Sequence, residues 1–275
     1  MAFEKTFAEQ SYGFRPGRGC KDALRRVEKM LGTGRTWVVD ADIRSYFDNI
    51  PHDKLMVDIE EQVADGRVLK LIEGYLKQGV MEGLDLWEPE KGTPQGAVVS
   101  PLLANIYLNK IDHAMSGFGY EMVRYADDFV ILCCTEVEAK KALDEVKAQI
   151  EERGLTLHPE KTRIVDASIS GGFDFLGYHF ERNTRWPRNK SMNKLKDAVR
   201  RKTKRTSGQS MTYIINDLNR SLRGWFEYFR HSQKSVFHKT DSWIRMRLRS
   251  ILRKRQRCKG RGRGGDNPPS WRLTI

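Results

Sequence analysis

The chain has 275 residues, of which 39% are hydrophobic and 31% are charged, enough for one large domain or two modest ones. Its mean hydropathy of -0.62 excludes a membrane-spanning protein, since no apolar run approaches the roughly 18–20 residues of a spanning helix. The opening segment MAFEKTFAEQ carries acids where a signal peptide would carry a basic segment and an apolar stretch. We therefore expect a cytoplasmic protein that has no membrane partner.

The charge is unevenly divided along the chain. Residues 1–181 contain 22 Lys and Arg against 31 Asp and Glu, a net charge of -9, whereas residues 182–275 contain 27 against 5, a net charge of +22. An acidic body joined to a basic region predicts a catalytic or scaffold part attached to a part that binds a polyanion. Nucleic acid is the first candidate and a membrane surface the second.

Helical and strand patterns alternate through the acidic part. Apolar spacing predicts helices over residues 20–31 and 102–115, with a strand in TWVVDADI (36–43) and a helix that begins at Pro51. The mixed order of the elements predicts an α+β fold.

The second half of the body continues this pattern. Two apolar runs flank Ala126-Asp127-Asp128 and predict a hairpin whose turn carries the acids. Thr135 and Glu138 predict a capping box at the start of a helix that extends to Arg153. Short strands follow as far as Phe180.

Three helices are predicted in the basic part, over residues 192–205, 214–229 and 241–257. In the second, apolar residues recur at steps of three and four along one face. Aromatic residues such as Trp225, Phe229 and Trp243 alternate with the basic ones, and a solvated tail would not contain them.

The acids of the strand and the hairpin predict a metal site. An Asp at the end of a buried strand and two Asp at a hairpin tip can hold two divalent ions for in-line phosphoryl transfer, and their hard oxygen ligands suit Mg²⁺. Asp40 and Asp48 compete with Asp42 for the role of the strand acid. Asp40 and Asp42 point the same way on a strand, so spacing alone does not choose between them. An Asp-Asp pair is also a common hairpin turn.

Six sequence blocks add context to these acids: SYGFRPGRG (11–19), DADIRSYFDNIPHDKL (40–55), GTPQGAVVSPLLANIYLN (92–109), RYADDFVIL (124–132), GLTLHPEKTRI (154–164) and FDFLGYHF (173–180). Together they resemble the group II intron-encoded reverse transcriptase/maturases. The resemblance implies a right-hand polymerase palm with partial fingers over residues 1–182, followed by an all-α basic thumb. It also implies RNA-directed DNA polymerase activity with two Mg²⁺ ions, using dNTPs, a DNA primer and an RNA template.

The resemblance assigns the metal and catalytic residues. Asp42 and Asp127 match the two metal-holding acids, and Asp128 matches the supporting acid near the primer terminus. Lys161 matches a position from which the departing pyrophosphate is protonated; a solvated surface lysine is the alternative.

The resemblance also assigns residues to the incoming nucleotide and the primer. The nucleotide-binding residues are Ile43, Arg44, Phe47, Gln95 and Gly96, and the primer grip consists of Phe175, Leu176 and Gly177. The Phe47 ring would crowd a ribose 2′-hydroxyl, unless it is an ordinary core residue. An ordinary helix-entry turn at Gln95 and a plain sheet hairpin at the grip are the corresponding alternatives.

Beyond the body, SLRGWFEYF (221–229) resembles the maturase-specific thumb, so residues 183–258 are expected to bind RNA. The phosphate-binding candidates are Arg220, Arg223, Arg245 and Arg249. Residues 259–275 read as a basic, Gly-rich, disordered tail.

The match departs from the family at its beginning. Members usually start well before the SYGFRP block, with fingers strands whose basic residues contact the triphosphate, and we expect this chain to lack those strands. The alternatives are therefore a polymerase-inactive RNA-binding maturase or RNA chaperone, or one fragment of a split or degenerate reverse transcriptase. An RNA-templated RNA polymerase is disfavoured by Phe47 and the Tyr-Ala-Asp-Asp motif.

Overall fold

The computed structural model describes residues 3–77, 80–82, 85–87, 90–93 and 97–256. The chain divides into two compact units, Met1–Leu176 and Gly177–Ile275, so the division lies six residues before the one expected from sequence. Gln95, Gly96 and the predicted tail lie outside the described residues.

The first unit combines helices with a central sheet. After a short 3-10 helix at Phe3–Lys5 its helices are α1 (Cys20–Gly32), α2 (Tyr46–Asn49), α3 (His52–Glu60), α4 (Gly66–Leu76), α5 (Ser100–Gly117) and α6 (Glu136–Glu152). Its strands are β1 (Trp37–Asp42), β2 (Val80–Glu82), β3 (Asp85–Trp87), β4 (Glu121–Tyr125), β5 (Asp128–Cys133), β6 (Arg163–Asp166) and β7 (Phe173–Phe175).

The central sheet has the strand order β4-β5-β1-β6 and is antiparallel throughout. β1 and β5 are its inner strands because their apolar runs supply side chains to both faces. Val39 and Ala41 belong to the main core, together with residues of α5 and α6 such as Leu103 and Val146. Since side chains alternate along a strand, the acids at even positions of β1 face away from these helices.

Helices α6 and α1 both have side-chain hydrogen bonds at their N-termini. The Thr135 hydroxyl accepts a hydrogen bond from the Glu138 backbone N–H (3.1 Å), as the capping box predicts. The Glu138 carboxylate accepts from the Cys134 backbone N–H (2.7 Å), one residue before the expected donor. At the other cap, the Asp22 carboxylate accepts from the Gly19 backbone N–H (3.0 Å).

The second unit consists of a hairpin and three helices. The hairpin pairs β8 (Tyr178–Glu181) with β9 (Thr184–Pro187), and the helices are α7 (Asn189–Lys202), α8 (Met211–Phe229) and α9 (Lys234–Arg255). A separate core holds the helices together, with Leu195, Ile214, Leu218 and Leu248 among its buried members.

The predicted helices of the basic part are all present, with shifted bounds. α9 begins seven residues before the predicted start, because Phe237, Thr240 and Ile244 continue the helical spacing towards the N-terminus. β9 lies in the part that was expected to be all-α. None of the helices in the described ranges is both long and apolar enough to span a membrane.

Candidate active site

Three of the predicted acids lie together at one end of the central sheet. Asp42 is the last residue of β1 and stands directly opposite Asp128, the first residue of β5. Asp127 lies in the turn between β4 and β5, where Ala126 adopts a positive φ of 59°. Directly opposed residues have Cβ atoms roughly 4.5–5.5 Å apart, so Asp42 and Asp128 share one face of the sheet.

Burial and mutual repulsion disfavour the negative charge of these carboxylates. Burial raises the pKa of Asp128 to about 7, with the Asp40 carboxylate as the next cause, although a backbone hydrogen bond from Leu176 opposes the shift. Burial also raises the pKa of Asp127; a backbone hydrogen bond to its carboxylate opposes this rise, and the charge of Asp42 adds to it. The acids therefore repel one another in a partly desolvated site, which is the condition that favours a bound cation.

The loop that carries Lys161 is held against the end of β1. Arg44 N–H donates to the Thr156 carbonyl (2.9 Å), and His158 N–H donates to the Asp42 carbonyl (2.8 Å). As a result, Lys161 Nζ hydrogen-bonds the Asp42 carboxylate. This hydrogen bond is the main cause of the raised pKa of Lys161, and the charge of Asp42 is the second cause. Lys161 therefore places a positive charge beside the acid cluster.

Asp40 has a different environment from Asp42. It lies opposite Val130 in the register of β1 and β5, and Arg163 donates a hydrogen bond to its carboxylate (3.1 Å). Burial raises the pKa of Asp40, and the hydrogen bond from Arg163 opposes that rise. Asp40 is thus engaged by the neighbouring strand β6, whereas Asp42 reaches the sheet end where the hairpin acids lie.

The nucleotide-binding candidates that the structure describes follow directly after β1. Ile43 is buried and pairs with Leu157, while Arg44 is exposed. Phe47 is half-buried: its ring packs edge-on against the ring of Tyr46 (5.4 Å between centroids) and against the main core. Part of the ring is therefore structural and part is accessible.

The Tyr125–Asp128 turn is held from behind by Arg124, a residue that the sequence analysis did not single out. Its guanidinium donates to Asp112 Oδ1 (2.8 Å) and forms a second bond to Oδ2, and it also donates to Asn105 Oδ1, the Ala126 carbonyl and Ser11 Oγ (each 2.9 Å). Burial lowers the pKa of Arg124, but the charge of the Asp112 carboxylate and its hydrogen bonds outweigh this effect, so the pKa is raised overall. Both partners are fully buried, so the turn carrying Asp127 rests on an ion pair.

The glycine-rich segment before α1 is part of the same arrangement. Ser11 pairs with Arg124 as a parallel bridge, and the amide of Asn105 donates to the Gly13 carbonyl (2.7 Å). A Cβ atom at Gly13 would lie 2.4 Å from the backbone nitrogen of Ala126. Only glycine fits there. The loop motif at residues 11–19 does not by itself predict this close approach, because the approach depends on a hairpin that is distant in sequence.

The predicted primer grip lies at the point where the chain passes between the two units. Phe175 is fully buried, and Leu176 and Gly177 both have positive φ angles, 46° and 83°. These angles form a tight turn, as a hairpin tip requires. In the first unit, the backbone of Leu176 hydrogen-bonds Asp128, which connects this turn to the acid cluster.

The donor set of the cluster fits a hard divalent cation in its chemistry. All candidate ligands are carboxylate oxygens, which Mg²⁺ prefers, and the raised pKa values of Asp127 and Asp128 reflect charge that a cation would offset. Within the described residues, however, no group of three or more His, Cys, Asp or Glu side chains is already arranged to hold an ion.

Comparison with known families identifies the chain. The family model "Reverse transcriptase (RNA-dependent DNA polymerase)" matches residues 1–180. The chain belongs to the reverse transcriptase family. The model "Group II intron, maturase-specific domain" matches residues 192–266, which confirms the expected group II intron reverse transcriptase/maturase family.

Individual relatives agree with this family. The chain is 42% identical over 110 residues to the group II intron-encoded protein LtrA of Lactococcus lactis subsp. cremoris, covering 40% of this chain and 18% of that protein. It is 31% identical over 219 residues to protein YkfC of Escherichia coli, covering 66% of this chain and 57% of that protein. The chain therefore spans less than two thirds of the length of these relatives.

A solved structure supports the fold of this reverse transcriptase. The apo telomerase of Candida tropicalis superposes with a TM-score of 0.56 at 12% sequence identity, covering 92% of this chain and 53% of that chain. At this identity the likeness concerns the fold alone, and it confirms the α+β palm-type architecture.

The four arginines predicted to bind RNA in the maturase-specific region have unequal environments. Arg223 is exposed and forms no ion pair with any described residue, whereas Arg220 is exposed but paired with Asp217 (3.1 Å). Arg245 is half-buried and paired with Asp241 (2.7 Å), and Arg249 is half-buried. The sequence predicts that all four arginines lie on basic helix faces. Only the structure shows which of them already form ion pairs with acids of the same helix.

Proposed function

We propose that this reverse transcriptase is an RNA-directed DNA polymerase of the group II intron type, which extends a DNA primer with dNTPs on an RNA template and binds intron RNA to assist splicing. The observation that carries this proposal is the meeting of Asp42, Asp127 and Asp128 at one end of the sheet. These are the acids that the family resemblance assigns to the metals.

The chemistry follows from the acid cluster. Two Mg²⁺ ions, held by Asp42 and Asp127 with Asp128 in support, would supply activation of the primer hydroxyl and stabilisation of the leaving pyrophosphate. Lys161 carries a proton at Nζ beside Asp42, from where it can protonate a departing pyrophosphate. The exposed guanidinium of Arg44 is available to a triphosphate.

Neighbouring residues would position the primer end and select deoxynucleotides over ribonucleotides. The accessible part of the Phe47 ring would crowd a 2′-hydroxyl and so favour deoxynucleotides. The turn at Leu176 and Gly177 would hold the primer end beside Asp128. Gln95 and Gly96 remain proposed nucleotide contacts.

Intron RNA would be bound through phosphate contacts in the basic region. Arg220, Arg223, Arg245 and Arg249 are the proposed contacts, and the net charge of +22 over residues 182–275 favours a polyanion. Such contacts recognise the shape of RNA more than its sequence.

A second candidate is an RNA-binding maturase without polymerase activity. The match of the maturase-specific family model to residues 192–266 favours it, because RNA binding by the basic region does not require a metal at the acid cluster. Under this alternative the basic region binds RNA and the acid cluster is an inherited feature.

Replacement of Asp127 by Asn separates the two candidates. We expect primer extension with an RNA template, a DNA primer, Mg²⁺ and dNTPs to fall by roughly 10²–10³-fold or more. The reason is that the site loses one of the carboxylates proposed to hold the metal ions. RNA affinity should stay within about twofold, since phosphate contacts supply it. Extension is measured on a gel and RNA affinity by fluorescence anisotropy.

The matched control is Asp144→Asn, which removes the same charge from the exposed face of α6. It should leave both activities unchanged. Wild-type protein that binds RNA but does not extend the primer would favour the maturase without polymerase activity. Equal loss of extension and RNA binding in Asp127→Asn would contradict the division into a catalytic and an RNA-binding part.

A further inference from the structure

The second unit contains a cavity that none of the proposed RNA contacts uses. It has a volume of about 390 Å³ and lies between β9 and the helices α7 and α9. Two tryptophans line it, Trp186 from β9 and Trp243 from α9, and both are half-exposed. Its size falls within the roughly 300–1,000 Å³ that is typical of small-molecule sites.

Apolar side chains form much of the remaining wall. Pro187, Met192 and Val236 line the cavity beside the two indoles. Thr240 is buried there, and its hydroxyl is used within α9, where it donates to the Val236 carbonyl (2.7 Å). The cavity thus offers flat, apolar surface to a ligand rather than a set of buried hydrogen-bonding groups.

The charged residues of the cavity are all basic. Lys196, Arg200 and Lys239 line it, and no Asp or Glu does. Neither Lys196 nor Lys239 forms an ion pair with a residue in the described part of the chain, whereas Arg200 is paired with Asp197 (2.7 Å). Two unpaired ammonium groups beside two indole rings complement a ligand that has both an aromatic and an anionic part.

Neighbouring side chains hold the two indoles in place. The ring of His179 packs against that of Trp186 (5.0 Å between centroids). The guanidinium groups of Arg200 and Arg247 lie 5.9 and 5.5 Å from the centre of the Trp243 ring. Because these contacts restrict the rotamers of both rings, a ligand that stacks on them loses little additional side-chain entropy.

We propose that this cavity binds an unpaired nucleotide of RNA, whose base stacks on Trp186 and Trp243 and whose flanking phosphates contact Lys196 and Lys239. Unpaired bases can leave the strand and stack on aromatic side chains, whereas bases inside a duplex cannot. The inference rests on the proposed RNA binding of the basic region and adds to it a preference for loops, bulges or single-stranded ends.

The test uses a short single-stranded RNA that contains 2-aminopurine, and the same RNA annealed to its complement. With the full chain at moderate salt, we expect the 2-aminopurine fluorescence to be quenched on binding of the single strand only. Trp186→Ala should weaken single-strand binding roughly five- to 150-fold, the range for loss of one base–aromatic stack. Trp186→Phe should restore much of the affinity, and duplex binding should not change.

A surface pair of variants keeps the test independent of folding. Lys196→Gln should weaken single-strand binding, whereas Lys194→Gln, which removes the same charge from an exposed position of α7 outside the cavity, should weaken it less. AMP and polyglutamate serve as competitors, because they distinguish a free nucleotide or a general anion from a nucleotide within RNA.

The outcomes separate this inference from the proposed function. If the wild-type chain binds both RNAs without quenching, or if Trp186→Ala and Lys196→Gln behave like wild type, the cavity does not bind a base although the proposed RNA binding stands. Displacement of the RNA by AMP or polyglutamate at equal nucleotide or residue concentration would also overturn the inference. If neither RNA binds at low salt, the proposed RNA binding fails and the inference fails with it.

Discussion

Arg124 holds the geometry of the turn that carries Asp127, one of the proposed metal ligands. Its guanidinium connects helix α5, the segment at Ser11 and the Ala126 carbonyl. A buried ion pair is costly to break from one side, because the remaining charge stays in a medium that solvates it poorly. Arg124 therefore acts on Asp127 as a positioning residue.

Replacement of Arg124 by Met should lower the free energy of unfolding by about 3–5 kcal/mol, because Asp112 is left buried without its partner. Urea denaturation followed by circular dichroism would measure the loss. Arg25→Met is the matched control: its Arg–Asp pair with Asp22 is similar in length (2.9 Å) but exposed, so the expected loss is about 0–1 kcal/mol. Equal losses in the two variants would contradict the structural role of Arg124.

Phe47 combines two roles at a single position. The half-buried ring packs against Tyr46 and the core, and the proposed function assigns its accessible part to sugar choice. A side chain that excludes a hydroxyl by shape alone provides only modest discrimination, because a pocket of this kind rejects an added group through contact rather than through hydrogen bonding.

Phe47→Ala should therefore admit ribonucleotides, with the ratio of kcat/KM for dNTPs over rNTPs falling roughly 10–200-fold. Primer extension with each nucleotide class would measure this ratio. Phe118→Ala removes a ring that is 51% exposed at the end of α5 and should leave the ratio unchanged. If Phe47→Ala loses stability while keeping its sugar preference, the ring is an ordinary core residue.

Among the larger elements, the segment before α1 and the β4–β5 hairpin form one structural piece. Tyr12 N–H donates to the Arg124 carbonyl and Arg124 N–H donates to the Gln10 carbonyl (both 2.9 Å). Gly13 then passes so close to Ala126 that no side chain fits between them. The loop motif at residues 11–19 thus supports the turn that carries Asp127.

Gly13→Ala should displace the turn that carries Asp127, because its Cβ would lie 2.4 Å from a backbone nitrogen. We expect a loss of about 1–3 kcal/mol in the free energy of unfolding, as for other overpacked sites, together with a fall in primer extension. Gly19→Ala is the control in the same segment. Its Cβ would lie 4.0 Å from Asp22, and its cost as a helix cap should stay below about 1 kcal/mol.

At the scale of the whole molecule, the two parts of the chain carry opposite net charges. The acidic part carries the catalytic candidates, and the basic part, with 27 Lys and Arg against 5 Asp and Glu, carries the proposed RNA contacts. RNA affinity should therefore fall steeply with salt, because phosphate contacts release counterions. Each unpaired arginine contributes more to this dependence than an arginine already held by a carboxylate.

Arg223→Gln should weaken RNA binding for all sequences and reduce the slope of log affinity against log salt by about one. Anisotropy titrations at several salt concentrations would measure both quantities. The control is the double variant Lys140→Gln with Glu136→Gln, which removes an exposed ion pair of α6, outside the basic region, and leaves the net charge unchanged. An effect of the control as large as that of Arg223→Gln would contradict a phosphate contact at Arg223.

The sequence by itself determined most of the elements and the chemistry of the motifs. Helices such as α1, α6 and α8 follow from apolar spacing that repeats within a few residues, and Asp127 and Asp128 are recognisable as a hairpin turn because both flanking runs are apolar. Such signals are local, so they survive without knowledge of the fold. The division of charge is likewise a property of the chain alone.

Only the tertiary structure decided which distant residues meet. Antiparallel pairing places Asp42 rather than Asp40 opposite Asp128, and alternation along one strand could not distinguish the two. The contacts of Arg124 with Asp112 and of Gly13 with Ala126 join segments far apart in sequence, as does the cavity that Trp186 and Trp243 line. The register of strands and the packing of helices depend on the whole core, so no local pattern contains them.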